Sequence, residues 1–339
     1  MKFGAHYLPT YVPELDGPLP EFYRRMFEQI EELERLGFNR VWVTEHHFGD
    51  YGGSIPHPPT FLSAVACRTS RIRLGVAVAV LPLNNPVGLA ESYGMVDVIS
   101  NGRLDFGIGK GSEPIEYLRL GARREESTQR MTEGAEVMCQ ALSDEPVNFH
   151  GEFFNYESVP VLPKPVQRPH PPIWVGATRT EETFRWAGEK GFHLMTIPFV
   201  HPSMQALRAL VEIYHSALRR AGHDVATRQL LAKFHLYVSD SLERAIREAS
   251  PYLKNYSAIH AEVDPNRKLT RRDIASDMER GFIIVGDPQR CIDTIRGWQA
   301  EVGLTTFSFT FHFGGMPQEM ALKNIRLFSE RVMPALEQA

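Results

Sequence analysis

Short runs rich in β-branched residues alternate with amphipathic stretches along this chain, and this alternation constrains its fold more than any other feature. The runs predict strands at residues 3–8, 40–45, 72–81, 104–108, 173–176, 192–197, 230–238 and 305–311. The intervening stretches predict helices at residues 22–36, 60–69, 87–99, 127–142, 180–190, 203–221, 242–252 and 318–336. Eight strand–helix units favour an α/β fold of the (β/α)8 TIM-barrel type. The same alternation also permits an open doubly wound sheet, so only the count favours the barrel.

Two segments interrupt the alternation. Residues 148–172 are rich in proline and predict a β-hairpin followed by an extended connector. Residues 257–287 are polar and mixed in charge. They are interpreted either as an insertion that forms an active-site lid or as a surface excursion with one short helix. One barrel with insertions needs roughly 250 to 400 residues. We therefore predict a single domain over residues 1–339.

Composition excludes several classes of protein. With 43% hydrophobic residues the chain can bury a large core, and with a net charge of -4 it lacks the net positive charge that would favour binding to nucleic acid. The longest apolar stretch, residues 74–83, is shorter than the roughly 20 residues that span a bilayer. The N-terminus lacks the pattern of a signal peptide, so we expect a soluble, cytoplasmic protein. The three cysteines are far apart and suit a reducing compartment, each as a small buried hydrophobe: Cys67, Cys139 and Cys291.

Two adjacent histidines, His46 and His47, follow the predicted strand 40–45 at its carboxyl end. Catalytic groups of barrel enzymes gather at that end. A histidine there can exchange a proton at neutral pH, although the pattern by itself favours hydrogen-bonded structural histidines at a turn. A metal site is less favoured, because neighbouring side chains in extended backbone point in opposite directions and the chain contains neither His-x-His nor His-Glu-x-x-His.

Two loops after later strands have the residue types of a phosphate site. Alternate glycines surround a lysine after the fourth strand, at Gly107, Gly109, Lys110 and Gly111. Glycines allow close approach of a ligand and the lysine can neutralise a phosphate, but a flexible turn fits as well. After the fifth strand come Gly176, Ala177, Thr178 and Thr180. Here the threonines either cap the following helix or bind a phosphate at its N-terminus.

Many short pieces, in order along nearly the whole chain, resemble the luciferase-like flavin monooxygenases, the family of the bacterial luciferase subunits. The pieces are residues 1–4 (MKFG), 41–48 (VWVTEHHF), 81–82 (LP), 85–87 (NPV), 89–91 (LAE), Asp97, 100–104 (SNGRL), 106–109 (FGIG), 187–191 (AGEKG), 285–288 (VGDP) and 328–334 (FSERVMP). The resemblance implies a barrel that binds FMN, as FMNH2, at its C-terminal face. It also implies reaction with O2 to a C4a-peroxyflavin, which oxygenates an aldehyde, ketone or similar small substrate.

The resemblance also assigns site residues and partners. His46 acts near the reactive edge of the flavin, and His47 is its neighbour with a less defined role. A non-prolyl cis peptide against the flavin ring falls at Ala77–Val78. The phosphate is held at Lys110 and at Ala177, Thr178 and Thr180, with Gly109, Gly111 and Gly176 beside them. Tyr7, Leu8 and Phe48 are expected on the substrate side. A separate flavin reductase and a homodimer are expected as well.

This chain departs from the luciferase light-emitting subunit at three of these positions. Gly109 replaces a reactive cysteine, Lys110 replaces a phosphate-binding arginine and Ala177 replaces a carboxylate, so light emission is not expected. The alternatives are a deazaflavin-dependent dehydrogenase of the same superfamily, a non-catalytic flavin-binding protein and a metal-dependent barrel hydrolase. Oxygen consumption with FMNH2, flavin retention without turnover and metal analysis distinguish them.

Overall fold

A computed structural model describes residues 1–263 and 273–337 of the chain. Its strands are β1 (Lys2–Tyr7), β2 (Arg40–Val43), β3 (Arg73–Val80), β4 (Leu104–Gly109), β5 (Val147–His150), β6 (Asn155–Val159), β7 (Ile173–Gly176), β8 (His193–Thr196), β9 (Leu230–Val238), β10 (Ile283–Gly286) and β11 (Thr306–Thr310). Its helices are α1 (Pro13–Asp16), α2 (Leu19–Arg35), α3 (Pro58–Arg68), α4 (Pro86–Ile99), α5 (Pro114–Arg119), α6 (Ser127–Ala141), α7 (Glu181–Glu189), α8 (Met204–Arg220), α9 (Leu242–Val263), α10 (Ile274–Glu279), α11 (Pro288–Val302), α12 (Gln318–Arg331) and α13 (Met333–Glu337).

Eight parallel strands close into a ring in the order β1, β2, β3, β4, β7, β8, β9, β11 and back to β1. The closing pairs are β8 with β9, where Leu194 lies opposite Leu230, and β11 with β1, where Phe307 lies opposite Phe3. Helices surround this ring, so the predicted (β/α)8 barrel is confirmed. All eight predicted barrel strands are present, with ends shifted by at most a few residues.

Aromatic packing fills both sides of the barrel wall. On the outside, Phe3 and Phe309 pack against Phe328 of α12, whose ring centroid lies 4.9 Å from that of Phe309, and Phe307 packs against Phe3. Inside the barrel, the rings of Trp42 and Trp174 meet edge to face at 5.2 Å. Together these layers make the barrel a packed core, so its open space lies at one end.

The interior next to these tryptophans carries a buried charge cluster. Asp105 lies 3.2 Å from Arg40 and 2.8 Å from Arg73, and it also accepts a hydrogen bond from the indole of Trp174. Arg40 and Asp105 are almost fully buried, so each charge depends on its partner. These residues lie at the amino ends of their strands, which the fold uses for stability rather than for chemistry.

The predicted hairpin in residues 148–172 is confirmed by the antiparallel pair β5 and β6. The prediction for residues 257–287 is partly wrong. Within it, residues 257–263 continue α9, residues 274–279 form α10, and β10 pairs with the last four residues of β9 outside the closed ring. Helix α11 was not predicted. The charged stretch of the expected lid that includes Asp264, Arg267, Lys268, Arg271 and Arg272 lies outside the described residues.

Three smaller expectations change. Helix α9 extends to Val263 instead of ending at residue 252, and the predicted last helix is divided between α12 and α13. Cys67 is exposed and Cys139 only partly buried, so the expectation of three buried cysteines holds only for Cys291. Across the described residues, no helix combines the length and apolarity that a membrane crossing requires.

Candidate active site

A cavity of about 300 Å³ opens at the carboxyl ends of the barrel strands. It is lined by residues from β1, β3, β8 and β9, by the segments that follow β2, β4, β7 and β8, and by His260 of α9. Pockets that bind cofactors and substrates typically begin at about this volume and are mostly apolar with a few polar groups. In a (β/α)8 barrel this face is where active sites are found, so this cavity is the candidate site.

Most of the predicted site residues line this cavity. They are His46, Ala77, Val78, Gly109, Lys110, Gly111, Gly176, Ala177, Thr178 and Thr180. His47 is not part of its lining. Of the three residues expected on the substrate side, Leu8 lines the cavity, whereas Tyr7 and Phe48 do not. Tyr7 donates its hydroxyl to Gln29 within the core, and Phe48 is half exposed beneath the guanidinium of Arg119.

His46 is held by a buried carboxylate. Its Nδ1 lies 3.0 Å from Oε1 of Glu116, and the same oxygen accepts the backbone N–H of His47 at 2.8 Å. Glu116 belongs to α5 and is 1% exposed. The ring of His46 also lies 5.4 Å from that of Tyr51, another cavity residue. The imidazole is therefore fixed in orientation before any ligand arrives.

His47 has a different carboxylate partner, Glu45. Its Nε2 lies 3.4 Å from Oε1 of Glu45, and this hydrogen bond raises the pKa of His47 above its ordinary value. Glu45 also accepts the backbone N–H of Val80 at 3.0 Å and the side-chain amide of Asn84 at 2.8 Å. Glu45 thus joins the end of β2 to the end of β3, and His47 belongs to this structural link.

The peptide bond between Ala77 and Val78 is cis, as predicted. It interrupts the regular pairing of β3 with β4, whose register shifts between Val76 and Ala79. A β-carbon at Gly109 would lie 2.4 Å from a methyl group of Val78, and one at Gly176 would lie 2.8 Å from the other methyl. Two glycines from neighbouring strands therefore make room for Val78 at the edge of the cavity.

The two predicted phosphate loops both reach the cavity. The backbone carbonyl of Lys110 accepts the hydroxyl of Tyr117, which ties the first loop to α5. Thr180 occupies the N-cap position of α7, but its side chain makes no capping hydrogen bond within the described part of the chain, and no such bond there involves Thr178. Side-chain capping by these threonines is therefore wrong as an explanation of their position. A helix N-terminus beside a lysine is a suitable anion site.

Several polar residues of the site were not predicted from the sequence: His6, Glu116, Thr196, Lys233 and His260. His6 and Thr196 are buried, and among the residues that the structure describes, Nδ1 of His6 and Oγ1 of Thr196 have no hydrogen-bond partner. Burial, with the charges of Lys233 and His46, lowers the pKa of His6 well below its ordinary value, so this imidazole is neutral. A lysine within the apolar strand 230–238 was the available signal for Lys233.

Within the described ranges, no group of three or more histidine, cysteine, aspartate or glutamate side chains is arranged to hold a metal ion.

The family model for luciferase-like monooxygenases matches residues 1–306. The chain belongs to the luciferase-like monooxygenase family. It is 28% identical to the oxygenase component of the flavin-dependent trigonelline monooxygenase of Acinetobacter baylyi, over 94% of this chain and 91% of that protein. The crystal structure of monooxygenase RslO1 from Streptomyces bottropensis superposes with a TM-score of 0.93 and 28% identity, and covers 99% of both chains. Relatives of this luciferase-like chain therefore include flavin-dependent monooxygenases.

Two solved structures of lower identity are described with different cofactors. The oxygenating constituent of 3,6-diketocamphane monooxygenase from Pseudomonas putida, in complex with FMN, has a TM-score of 0.82 at 20% identity and covers 98% of both chains. The coenzyme F420-dependent tetrahydromethanopterin reductase of Methanopyrus kandleri has a TM-score of 0.75 at 20% identity and covers 99% of both chains. At this identity the likeness establishes the shared luciferase-like barrel alone.

Proposed function

We propose that this chain is the oxygenase component of a two-component flavin monooxygenase, which uses FMNH2 and O2 to oxygenate a small organic substrate such as an aldehyde or ketone. The observation that carries the proposal is the composition of one cavity in a luciferase-like barrel. It brings together His46, the cis peptide at Ala77–Val78 and both predicted phosphate loops. No single sequence motif supports the proposal as strongly as this combination.

The residues present fit a flavin mononucleotide. The phosphate would bind to the ammonium group of Lys110 and to the N-terminus of α7 at Thr178 and Thr180, where positive charge and backbone N–H groups coincide. Glycines occupy the positions where a β-carbon would crowd Val78. The ring would lie against Ala77–Val78. Lys110 offers a point charge rather than a bidentate group, so the phosphate is held with less geometric specificity than by arginine.

Bound reduced flavin would supply the activation of oxygen and its transfer to the substrate. The protein would shield the reacting groups from water and position them. His46 would hold or move the proton in this step. Because Nδ1 of His46 is engaged by Glu116, Nε2 is the ring nitrogen that can exchange a proton with groups in the cavity. His47 would orient the loop around this histidine through Glu45.

The wider organisation is part of the same proposal. Relatives named as an oxygenase component and as an oxygenating constituent support a separate reductase that supplies the reduced flavin. We expect one domain over residues 1–339, a homodimer, and a cytoplasmic location shared with the reductase. Light scattering of the purified protein tests the homodimer, and copurification with a flavin reductase activity tests the partner.

The test is an anaerobic titration with FMNH2, followed by oxygen and a panel of aldehydes, ketones and sulfonates, with product analysis. His46→Ala should leave FMNH2 affinity within about threefold of wild type and lower coupled product formation by about 100-fold, the contribution of a positioned acid or base. Unchanged turnover in this variant would reject the role of His46. Tight flavin binding without substrate oxygenation would instead support a non-catalytic flavin-binding protein.

The alternative is a deazaflavin-dependent dehydrogenase. It is favoured by the shared fold of the F420-dependent reductase, although that likeness concerns the fold alone. Reduction of a deazaflavin by substrate in the absence of oxygen, with no oxygen consumption when FMNH2 is added, would establish it in place of the monooxygenase.

A further inference from the structure

We propose that Glu116 is a positioning residue that keeps the proton of His46 on Nδ1 and connects this histidine to the loop at Lys110. The consequence for catalysis rests on the proposed function. The contacts themselves belong to the protein without flavin, so they can be tested separately.

The geometry assigns the proton. Oε1 of Glu116 lies 3.0 Å from Nδ1 of His46 and accepts the backbone N–H of His47 at 2.8 Å. A carboxylate oxygen only accepts hydrogen bonds, so Nδ1 of His46 must be the donor. The backbone N–H of His47 cannot rotate away, and it therefore fixes the carboxylate in the orientation that reaches the neighbouring ring. In its neutral form the imidazole then carries its lone pair on Nε2.

The same helix also reaches the proposed phosphate loop. Helix α5 follows residues 110–113 directly, and the hydroxyl of Tyr117 donates to the backbone carbonyl of Lys110. Tyr117 and Glu116 are adjacent on α5, and both are almost fully buried. One residue therefore fixes the loop that would hold the flavin phosphate, and the next fixes the histidine that would handle the proton. Displacement of α5 would disturb both.

The two adjacent histidines have separate carboxylates, which makes the role of Glu116 specific. Glu45 contacts His47 and is occupied by Val80 and Asn84 as well. Among the contacts described for His46, only Glu116 is a carboxylate. Loss of Glu116 would leave the ring without this acceptor, whereas Glu45 would still hold His47.

The first experiment reads the tautomer directly in the flavin-free protein, by ¹⁵N NMR of histidine-labelled samples at pH 8. Wild type is expected to show His46 protonated at Nδ1 and bare at Nε2. Glu116→Ala should shift the population toward the Nε2-protonated form. Glu116→Gln should keep the wild-type tautomer, because its amide oxygen can accept both N–H groups. Glu125→Gln, on an exposed carboxylate nine residues further along the chain, is the matched control and should change nothing.

The second experiment measures coupled turnover and flavin affinity. In Glu116→Ala, kcat should fall about 10- to 100-fold with KM within about threefold, and Glu116→Gln should recover at least half of the logarithmic loss. Tyr117→Phe should weaken FMNH2 binding several-fold while keeping the tautomer of His46.

Three results would overturn the proposal. They are an Nε2-protonated His46 in wild type, equal losses in both Glu116 variants, and unchanged FMNH2 affinity in Tyr117→Phe. If Glu116→Ala does not fold, the NMR spectra of wild type and Glu116→Gln still test whether His46 carries its proton on Nδ1. If the chain does not oxygenate substrates at all, the NMR result stands alone, so failure of the proposed function is distinguishable from failure of this inference.

Discussion

At the scale of single residues, Arg103 serves the fold rather than the chemistry, although it belongs to residues 100–104, one of the stretches that resemble the family. Its guanidinium donates to the backbone carbonyls of Ala66, Thr69, Ile72 and Ser100 and to the hydroxyl of Thr69, at 2.8 to 3.0 Å. A planar group with five donors can satisfy this set, and an ammonium group cannot.

Arg103→Lys should therefore lower the free energy of unfolding by about 2 to 4 kcal/mol, since it leaves buried carbonyls without donors. Urea denaturation measures this change, and turnover per folded molecule should stay at the wild-type value. Arg71→Lys, on an exposed arginine, is the control and should change the free energy of unfolding by less than about 0.5 kcal/mol. A similar small change in Arg103→Lys would contradict this account.

Gly109 has a steric role next to Val78. The position at which the sequence resemblance places a reactive cysteine has no room for a side chain here, because a β-carbon at Gly109 would lie 2.4 Å from Val78. Valine is branched at Cβ and cannot swing aside freely. Gly109→Ala should lower the free energy of unfolding by about 1 to 3 kcal/mol and weaken FMN binding.

The double variant Gly109→Ala, Val78→Ala should recover most of this loss, because the second change removes the clashing methyl groups. A double-mutant cycle in urea measures their coupling, expected at about 1 kcal/mol or more. If the losses in the free energy of unfolding were additive, the cost of Gly109→Ala would not come from a clash with Val78.

At the scale of elements, two further stretches that resemble the family, residues 85–87 and 285–288, contain helix caps. Asn85 accepts the backbone N–H groups of Val87 and Gly88 at the start of α4, and Asp287 accepts that of Arg290 at the start of α11. A proline follows each cap at the first helical position, where a missing N–H costs nothing. Both motifs therefore define where a helix begins.

Asn85→Ala and Asp287→Ala should each lower the free energy of unfolding by about 1 kcal/mol, measured by urea denaturation. Thr180→Ala is the matched comparison, because Thr180 is an N-cap whose side chain makes no capping bond to the described residues. It should cost less than about 0.5 kcal/mol and yet weaken FMN binding if the proposed phosphate site is correct. A stability loss in Thr180→Ala equal to that in the other two would contradict the distinction.

Strands and helices could be predicted from the sequence where the local residue pattern matched the burial of the element in the fold. The strands of the barrel are buried apolar runs, so their sequence already has the pattern of parallel strands. Strand β10 was missed because its four apolar residues lie within a polar segment and outside the ring of eight.

In the site, His46 was predictable from its position after β2. Glu116 was not, since its contact with His46 depends on how α5 folds back over the loop after β2.

At the scale of the whole molecule, buried neutral histidines set the response to acid. Burial lowers the pKa of His193 and of His201 to about 4. Nδ1 of His193 accepts the backbone N–H of Gln229 at 3.0 Å, so protonation of that nitrogen would place two hydrogens against each other. The pKa of His6 is lowered as well, by burial and by the charges of Lys233 and His46. These groups bind protons more readily in the unfolded chain, where their pKa is about 6.5.

Because the unfolded state takes up more protons, the stability that these histidines contribute is present above about pH 6.5 and is lost as the pH falls toward 4. His47 works in the opposite direction, since its raised pKa adds stability as the pH falls. It is one group against five histidines whose pKa burial lowers, because His215 and His312 are shifted in the same direction as the three above. Most carboxylates of the unfolded chain remain ionised above about pH 5. The change between pH 7 and pH 5 therefore reports mainly on histidine, and we expect a loss of about 2 to 4 kcal/mol in the free energy of unfolding.

Urea denaturation at pH 7, 6 and 5 measures this slope. His201→Gln should flatten it, because one of the buried imidazoles no longer has to remain neutral, whereas His57→Gln, on an exposed histidine, should leave it unchanged. A slope that is the same in all three proteins would mean that His201 does not contribute. A stability that rises between pH 7 and pH 5 in wild type would contradict the neutral state of the buried histidines altogether.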